Sequence, residues 1–413
     1  MLATRAILRS CSKNGTYGRR SMSHVSNPIR ASYLRGGTSK GIYLRQEDLP
    51  SNQSEWDTIF LGIMGSPDAE YGRQLNGMGG GVSSLSKICV VGHPSEAQKA
   101  EGIDVTYTFA QIGIRDSSVD YSGNCGNLSS MIGVFALDEG FCEAHVKHDD
   151  KGQHDVAIVR SYNTNTNKII DTTFPVSLIE GKHIPVLDLP QATIAGVPGL
   201  ASQITLDFLN PGGARTGKLL PTGNAIDRIE VPIDGALNTF GVSLVDATNP
   251  TVFITSDDLR VAHNLAPGAP IDYADVDITN TLEHVRQAGA KLMGLDPSAK
   301  AQPKIAALSA PSAQDISKGA DVAIHAFSMG VLHKAVPMTV GLCLGVASTL
   351  EGSIASTIVQ HARQWSRRDS PLVRILHPGG TVDVGASFDE LGEVSSAKVV
   401  RTGRRLMKGV VWW

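Results

Sequence analysis

The pattern of apolar positions contains two long runs, one in each half of the chain. The first extends from Leu128 to Asp138, carries no charge before its last residue, and is followed by Gly140, a residue type that commonly ends helices. The second extends from Thr339 to Leu350. A helix that is apolar on nearly all of its faces must be enclosed by other structure. The pattern therefore predicts two buried central helices.

Shorter segments rich in β-branched and aromatic residues predict strands around these helices, and the segments recur along the chain in the same order. Members of each similar pair are roughly 210 residues apart, a spacing that fits a duplicated domain. The pairs are KGIYLRQEDL (40–49) with PTVFITSDDL (250–259), SKICVVG (86–92) with PKIAALSA (303–310), and GVFALDEG (133–140) with GVASTLEG (345–352).

These patterns predict an α+β fold of two pseudo-symmetric domains, each with a curved mixed β-sheet or barrel around a central apolar helix. We expect an N-terminal domain over 24–222 and a C-terminal domain over 223–413, with the active site between them. Two helix starts that face each other across this junction would present two positive dipole ends. Such a crevice would favour a polyanionic ligand.

The first 23 residues differ in composition from the rest of the chain. They contain no acidic residue, and the first acid of the sequence is Glu47. Their basic residues are Arg5, Arg9, Lys13, Arg19 and Arg20. A basic, serine-containing and acid-free leader is typical of a mitochondrial transit peptide, with removal after Arg20 as one option. The alternative is a basic tail on a cytoplasmic protein.

Overall composition excludes several classes of protein. The 413 residues are 41% hydrophobic and 19% charged with a formal net charge of -3, and no basic cluster suits nucleic acid. No apolar stretch is long enough to span a membrane. The five cysteines are scattered without a C-x-x-C pair, which argues against a disulfide framework or a zinc cluster. We therefore expect a small-molecule partner and no metal; the oligomeric state is not readable, and a homodimer is our working interpretation.

The first apolar run is preceded by SGNCGN (122–127), which places Cys125 at the predicted helix start. Unpaired backbone N–H groups and the helix dipole lower the pKa of a thiol in such a position and make it a usable base or nucleophile. The alternative is a small buried core residue. In the internal repeat Cys125 corresponds to Pro337, so the second half has no matching thiol, and Cys343 is interpreted as a core residue.

A further glycine-rich segment, GGARTGKLL (212–220), contains the spacing G-x-x-x-x-G-K of a phosphate-binding loop. Leu219 occupies the position where a serine or threonine should bind Mg²⁺, and Pro221 interrupts the helix that should follow. We therefore do not predict a nucleotide site here.

The chain resembles the PrpF family of cofactor-independent isomerases, within the diaminopimelate epimerase-like fold. The motifs that carry the resemblance run from about Arg30 to the C-terminus. They are YLRGGTSKGIYL at Tyr33, GMGGGVSSLSKICVV at Gly77, SGNCGN at Ser122, GKLLPTGN at Gly217, PKIAALSAP at Pro303, SMGVLHKAVP at Ser328, HPGG at His377 and RTGRRLMKG at Arg401. The resemblance implies a catalytic pair of Lys87 and Cys125. Related epimerases use one cysteine from each half, and the absence of the second counts against racemisation.

The chemistry implied by this family is a 1,3-proton shift in an unsaturated tricarboxylate, which needs no redox cofactor or metal. Interconversion of cis- and trans-aconitate is the leading expectation. A 4-oxalomesaconate tautomerase or a methylitaconate-type or methylaconitate isomerase is the nearest alternative, and a non-catalytic carboxylate-binding protein is an alternative of another class. The sequence does not decide whether Lys87 or Cys125 abstracts the proton.

Polar groups around this pair are the candidates for binding the carboxylates. Each glycine- or serine-rich loop could also be an ordinary turn, and Lys40 could be a solvated surface lysine. The candidates are Thr38, Ser39, Lys40, Ser83, Ser84, Ser86, Asn124, Gly126, Asn127, Ser328, Met329 and Gly330. The C-terminal RTGRRLMKGVVWW is interpreted as a terminal helix leading into a strand that buries Trp412 or Trp413.

Overall fold

The computed structural model describes residues 26–148, 154–233, 235–299, 302–328, 330–366 and 368–413, so the predicted leader lies outside the described residues. The fold is mixed α+β with strands predominant. The strands are β1 (Ile29–Gly36), β2 (Ser39–Arg45), β3 (Lys87–Gly92), β4 (Val105–Ile112), β5 (Val119–Asp120), β6 (His145–His148), β7 (Asp155–Asn163), β8 (Lys168–Ile179), β9 (Lys182–Pro185), β10 (Ala192–Ile194), β11 (Val197–Ala201), β12 (Ile204–Leu209), β13 (Asp227–Ile233), β14 (Ala236–Ala247), β15 (Asn249–Thr255), β16 (Lys304–Ser309), β17 (Val322–Ser328), β18 (Val331–Leu332), β19 (Val373–His377), β20 (Gly380–Phe388), β21 (Val394–Arg401) and β22 (Gly403–Val411).

In the described residues the helices are fewer than the strands. They are α1 (Trp56–Met64), α2 (Glu96–Ala100), α3 (Gly126–Ser129), α4 (Ile132–Glu139), α5 (Ser256–Ala262), α6 (Val276–Leu292), α7 (Ala313–Ser317), α8 (Met338–Ala347) and α9 (Ile354–Arg363), with short 3₁₀ turns at Gln46–Asp48, Gln53–Glu55 and Ser83–Leu85. Within the described parts of the chain, no helix has the length and apolarity that crossing a membrane requires.

Strand pairing follows the same order in the two halves. In the first half, β2 and β3 are parallel, β3 and β4 antiparallel, β4 and β7 parallel, and β7 and β8 antiparallel. In the second half, β15 and β16 are parallel, β16 and β17 antiparallel, β17 and β19 parallel, and β19 and β20 antiparallel. The halves are joined because β12 pairs with both β8 and β21, and β22 pairs with β1.

The two apolar runs lie in the principal core, which contains residues of both α4 and α8. All residues of α8 from Val340 to Ala347 are buried. The first run does not form one helix as predicted, because α3 ends at Ser129 and α4 begins at Ile132. The Ser130 hydroxyl donates to the Asn127 carbonyl, and Met131 N–H donates to Leu128 O, so the regular i to i−4 bonding is interrupted. The predicted stop is confirmed, since Gly140 caps α4 with φ 72°.

Two smaller cores lie on the outer faces of the sheets. One packs α1 against β2 and β3, and the other packs α5 and α6 against strands of the second half. The predicted terminal helix is wrong: RTGRRLMKG lies at the end of β21 and in β22, where pairing with β1 supplies the backbone hydrogen bonds that a helix would make internally. Trp413 is half-buried and its indole N–H donates to Ser26 O, whereas Trp412 is exposed.

Candidate active site

Cys125 lies at the N-cap of α3, as the sequence predicted. Its side chain is half-buried, and Sγ is 4.0 Å from the Ser39 hydroxyl oxygen. Because α3 has only four residues, few aligned peptide dipoles act on the sulfur, and the local backbone N–H groups matter more than a long helix dipole.

The turn between β1 and β2 holds two predicted ligands next to Cys125. Asn127 Nδ2 donates to Thr38 Oγ1 at 3.1 Å and to Ser39 Oγ at 3.4 Å. Gly37 has φ +50°, and a Cβ at this position would collide with Asn127 Oδ1. Only glycine therefore allows this turn to approach the start of α3 so closely. Thr38 is exposed and Ser39 is buried, so the turn connects the site with solvent.

Lys87 lies at the start of β3, on the inner face of the first sheet. The parallel register that pairs Ile42 with Ile88 places it beside Gly41, and a Cβ at Gly41 would lie 2.9 Å from Lys87 O. Lys87 is 9% exposed, its Nζ donates to Gln111 Oε1, and it lies 5.1 Å from the ring centroid of Phe109. Gln111 is held in turn by bonds from Nε2 to backbone oxygens at the Ser83–Ser86 turn.

Lys87 and Cys125 act on a common neighbour, the fully buried thiol of Cys89. Burial raises the pKa of Cys89 well above its ordinary value, the charge of Cys125 raises it further, and the charge of Lys87 lowers it. One face of β2 carries Ser39, Gly41 and Tyr43, because every second residue of a strand lies on the same face. This face is directed toward the core that also contains Cys89. Both proposed catalytic side chains therefore border the same inner face of the first sheet.

Two buried tyrosines form hydrogen bonds with the segment 124–128 around Cys125. Tyr43 donates its hydroxyl to Leu128 O at 2.6 Å, and the Tyr107 hydroxyl accepts from Asn124 Nδ2 at 2.9 Å. Burial raises the pKa of both phenols, so both stay neutral. Asn124 Oδ1 also accepts from Ser129 Oγ. The Asn124 side chain is thus engaged in fixing the loop around Cys125.

Two predicted ligands are directed elsewhere. Ser86 is fully buried, and its hydroxyl donates to Gln74 Oε1 at 2.6 Å, so this group is already satisfied within the protein. Lys40 follows Ser39 in β2 and so points to the opposite face, where its Nζ lies 5.9 Å from the ring centroid of Tyr33. A role of either side chain in binding the substrate stays a prediction. Ser83 and Ser84 form part of the 3₁₀ turn before Lys87 and remain accessible.

The predicted facing loop of the second half is only partly described. Ser328 ends β17, Met329 lies outside the described residues, and Gly330 lies at a pocket lined by residues of α6 and β16. Its place beside Cys125 therefore stays a prediction. The second half reaches the site through α8 instead: a Cβ at Gly126 would collide with the sulfur of Met338 at the start of that helix.

Two residues that the sequence analysis did not select lie at the site. Arg401, at the end of β21, is 8% exposed and donates from Nε to Asn127 Oδ1 at 3.0 Å. Burial lowers the pKa of Arg401 to about 10, and the charge of Cys125 acts in the opposite direction. His377 is also 8% exposed, and burial together with the charges of Arg401 and His333 lowers its pKa to about 4. The sequence feature that could have indicated Arg401 is a charged residue directly after the apolar pair Val399–Val400.

The segment that mimics a phosphate-binding loop surrounds an internal carboxylate. Asp246 is fully buried, and its Oδ2 accepts from the backbone N–H groups of Arg215 and Thr216 and from the Thr216 hydroxyl. The donors that would hold a phosphate are therefore engaged within the protein. The structure agrees with the rejection of a nucleotide site.

Comparisons with known proteins give a consistent result over the length of the chain. The family described as "PrpF protein" matches residues 26–413. A 3-methylitaconate isomerase of Eubacterium barkeri is 34% identical over 394 residues, covering 92% of this chain and 95% of the relative. A 2-methyl-aconitate isomerase of Shewanella oneidensis is 34% identical over 410 residues, covering 93% and 96%.

A solved structure of a methylitaconate-delta-isomerase shares the fold, with a TM-score of 0.76 and 32% identity over 94% of this chain and 96% of that one. The family match, the two relatives and the solved structure thus each cover more than nine tenths of the chain. The chain belongs to the PrpF family and is an isomerase.

Proposed function

We propose that the protein is a cofactor-independent isomerase that moves a carbon–carbon double bond in an unsaturated tricarboxylate, with interconversion of cis- and trans-aconitate as the leading reaction. One observation carries the proposal. Lys87 and Cys89 lie on the same face of β3, and Cys125 packs against the core cluster that contains Cys89, so the thiol and the ammonium border one inner face of the first-half strands. A thiol and an ammonium that border one ligand can remove a proton from one carbon and return a proton to the carbon two bonds away.

The reaction needs one proton to leave and one to return. A base of the pair removes a proton from the methylene carbon, and the electron pair left behind spreads over the adjacent double bond into a carboxylate. The acid of the pair then delivers a proton to the far carbon, which moves the double bond. Rotation in the intermediate before that step changes cis into trans geometry. Which of Lys87 and Cys125 acts first is open in this scheme.

Fixed donors lower the energy of the intermediate because its carboxylate gains charge. The backbone N–H groups of Gly126 and Asn127 begin α3 next to Cys125, and the Thr38 hydroxyl lies within hydrogen-bond distance of Asn127. A preorganised donor of this kind is typically worth about 3 to 4 kcal/mol of transition-state stabilisation. We assign these groups, with Ser39, to the binding of carboxylate oxygens.

The names of the relatives support close alternatives with the same proton chemistry. The matched proteins act on methylitaconate and 2-methylaconitate by name, and 4-oxalomesaconate is a further candidate substrate. 2-Methylaconitate and 4-oxalomesaconate each differ from aconitate in one substituent, whereas methylitaconate is a dicarboxylate that also carries a methyl group. A carboxylate-binding protein without turnover is the alternative of another class, and it would not require the thiol.

We also propose that the two halves are duplicated units of a diaminopimelate epimerase-like fold, divided near residue 222, each with a sheet wrapped around an apolar helix. The recurrence of four strand pairings in the same order supports this proposal. Pairing of β22 with β1 means that the last strand of the chain completes the first sheet.

The test is a substrate panel in deuterated water. The protein is incubated separately with cis-aconitate, 2-methylaconitate, methylitaconate and 4-oxalomesaconate, and isomer formation and carbon-bound deuterium are followed by NMR. We expect isomerisation with deuterium incorporation, fastest for cis-aconitate. If another compound of the panel reacts faster, the proposed substrate changes but the proposed class of reaction does not. Binding of all four without isomerisation or exchange would refute the enzyme proposal.

Two further proposals concern the whole chain. The basic residues of 1–23 suggest a mitochondrial transit peptide, so a fusion of this segment to a fluorescent protein should enter mitochondria, and retention in the cytoplasm would contradict it.

We propose that the protein forms a homodimer. Light scattering at micromolar concentration should give twice the 43.7 kDa chain mass, and a single-chain mass would contradict this assembly.

A further inference from the structure

The most unusual charge in the described structure is the guanidinium of Arg401. It is 8% exposed, and among the described residues no carboxylate lies within ion-pair distance of it. The other strongly buried arginine, Arg286, is 3% exposed and forms a two-bond pair with Glu283. A buried cation without a counter-ion is expensive, typically by several kcal/mol. The binding of an anionic ligand next to Arg401 would therefore lower the free-energy cost of burying its charge.

We propose that Arg401 binds the substrate carboxylate adjacent to the carbon that exchanges its proton with Cys125. This inference rests on the proposed isomerase function and adds a binding residue to the same site. Arg401 is connected to Cys125 by two side chains: its Nε donates to Asn127 Oδ1 at 3.0 Å, Asn127 Nδ2 donates to Ser39 Oγ at 3.4 Å, and Ser39 Oγ lies 4.0 Å from Cys125 Sγ. This geometry places a carboxylate held by the guanidinium on the side of the site that contains the sulfur.

The orientation of the guanidinium is fixed from two sides. Nε donates to Asn127 Oδ1 at 3.0 Å, and Nη1 donates to the backbone oxygen of Val400 at 2.8 Å. Nη2 makes no hydrogen bond to any described residue, so donors remain for a ligand. Asn127 in turn donates to Thr38 and Ser39. The same amide therefore connects Arg401 with the two hydroxyl groups that we assign to carboxylate binding.

His377 provides a neutral donor in the neighbourhood. Its pKa is lowered to about 4 by burial and by the charges of Arg401 and His333, so the ring is neutral near pH 7. Nδ1 accepts from Gly379 N–H at 3.1 Å, which leaves the proton on Nε2. A neutral imidazole cannot compensate the charge of Arg401.

The position of Arg401 gives it a role in the chemical step as well as in binding. The carboxylate next to the reacting carbon receives electron density when the proton leaves, so its attraction to a fixed cation increases in the intermediate. An interaction that strengthens along the reaction lowers the barrier. Loss of Arg401 should therefore reduce kcat as well as raise KM.

The direct test compares Arg401→Gln with Arg404→Gln. Arg404 lies three residues further along, on exposed β22, so its variant removes the same charge outside the site. We expect kcat/KM to fall on the order of 100-fold in Arg401→Gln, with kcat also reduced, because a buried charged hydrogen-bonding partner is lost. Arg404→Gln should retain kcat/KM within about threefold, the range usual for surface changes. Equal values in the two variants would overturn the proposal.

A second measurement uses the unmodified protein and avoids any folding defect of a variant. Tricarballylate, a saturated tricarboxylate that cannot isomerise, is added while the His377 ring is titrated by NMR. An anion on Arg401 offsets the positive field, so the pKa of His377 should rise from about 4. An unchanged His377 pKa, or no binding of tricarballylate, would overturn the assignment of Arg401. Deuterium exchange in the substrate panel would still stand in that case, so the two proposals fail separately.

Discussion

The helices α3 and α8 begin in different ways, although the strands in the two halves of the chain pair in the same order. The helix α3 begins after Cys125, and α8 begins after Pro337, which lies at the equivalent N-cap. Both starts meet at the junction, where Met338 packs against Gly126. Only the first start carries a group that can exchange a proton. The comparison teaches that two regions with the same order of strand pairing can differ at the helix start, where one presents a thiol and the other a methionine that packs.

The lysines that begin β3 and β16 show the same contrast. Lys87 donates to Gln111 and borders the face that contains Cys89. Lys304 lies near Arg286, and burial together with that positive charge lowers the pKa of Lys304. Its surroundings belong to the second half, where no thiol occupies the helix start. We therefore expect the two lysines to differ in function.

The largest effect should follow from removing the thiol. Cys125→Ala deletes one member of the proton-transfer pair, so we expect kcat to fall on the order of 1,000-fold. The matched control is Cys343→Ala, because Cys343 is fully buried within α8. That variant should lose stability through a small cavity and keep the turnover of its folded fraction. Stopped assays with purified protein measure kcat for both variants. A wild-type kcat in Cys125→Ala would contradict the account.

The lysine pair gives the next largest difference. Lys87→Met keeps the aliphatic chain over Phe109 but removes the ammonium group, and we expect kcat to decrease on the order of 100-fold. Lys304→Met should change kcat less than about threefold, as for substitutions away from a site. If both variants lose activity to the same extent, the functional asymmetry between the halves is wrong.

The close approach of the β1–β2 turn can be tested with glycines. Gly37→Ala and Gly268→Ala each place Cβ on a left-handed backbone, at φ +50° and +74°, which costs about 1 to 2 kcal/mol. Only at Gly37 does the new methyl also collide with Asn127, which adds about 1 to 3 kcal/mol. Urea unfolding should therefore show a larger loss for Gly37→Ala. A smaller loss than in Gly268→Ala would show that the turn does not pack as described.

The smallest predicted effect is a pH dependence of stability. The pKa of His377 is lowered from 6.5 to about 4 in the folded chain, so between these values the unfolded chain binds the extra proton. The free energy of unfolding should decrease as the pH falls through this window and be fully retained above it. His377→Gln should flatten the decrease, whereas His361→Gln, at an exposed position on α9, should not. Identical profiles for both variants would contradict the burial of His377.

Much of the architecture could be predicted because it follows from local patterns. The enclosed run before Gly140 and the strand segments around Lys87 and Lys304 appear where the apolar periodicity places them. The break between α3 and α4 could not be predicted, since it depends on the Ser130 hydroxyl bond to Asn127 and on contacts from a distant turn. The first part of β22 was predicted as a helix because its strand partner, β1, is almost the whole chain away in sequence.

The site was predicted best where a residue type signals its chemistry. Cys125 between Asn and Gly residues indicates a reactive thiol at a helix start. The direction of the Lys40 side chain, opposite to that of Ser39, could not be predicted because strand alternation depends on where the strand begins. Arg401 was missed because the absence of a counter-ion becomes visible only when every neighbour of the folded chain is known.

The central claim is that Cys125 and Lys87 together move one proton along a three-carbon unit. The most direct measurement is deuterium entry into carbon-bound positions of cis-aconitate in deuterated water, compared among wild type, Cys125→Ala, Lys87→Met and the double variant. We predict rapid incorporation in the wild type, losses on the order of 100-fold or more in each single variant, and little further loss in the double variant, because the two groups act as a unit. Incorporation at the wild-type rate in either single variant would contradict the claim.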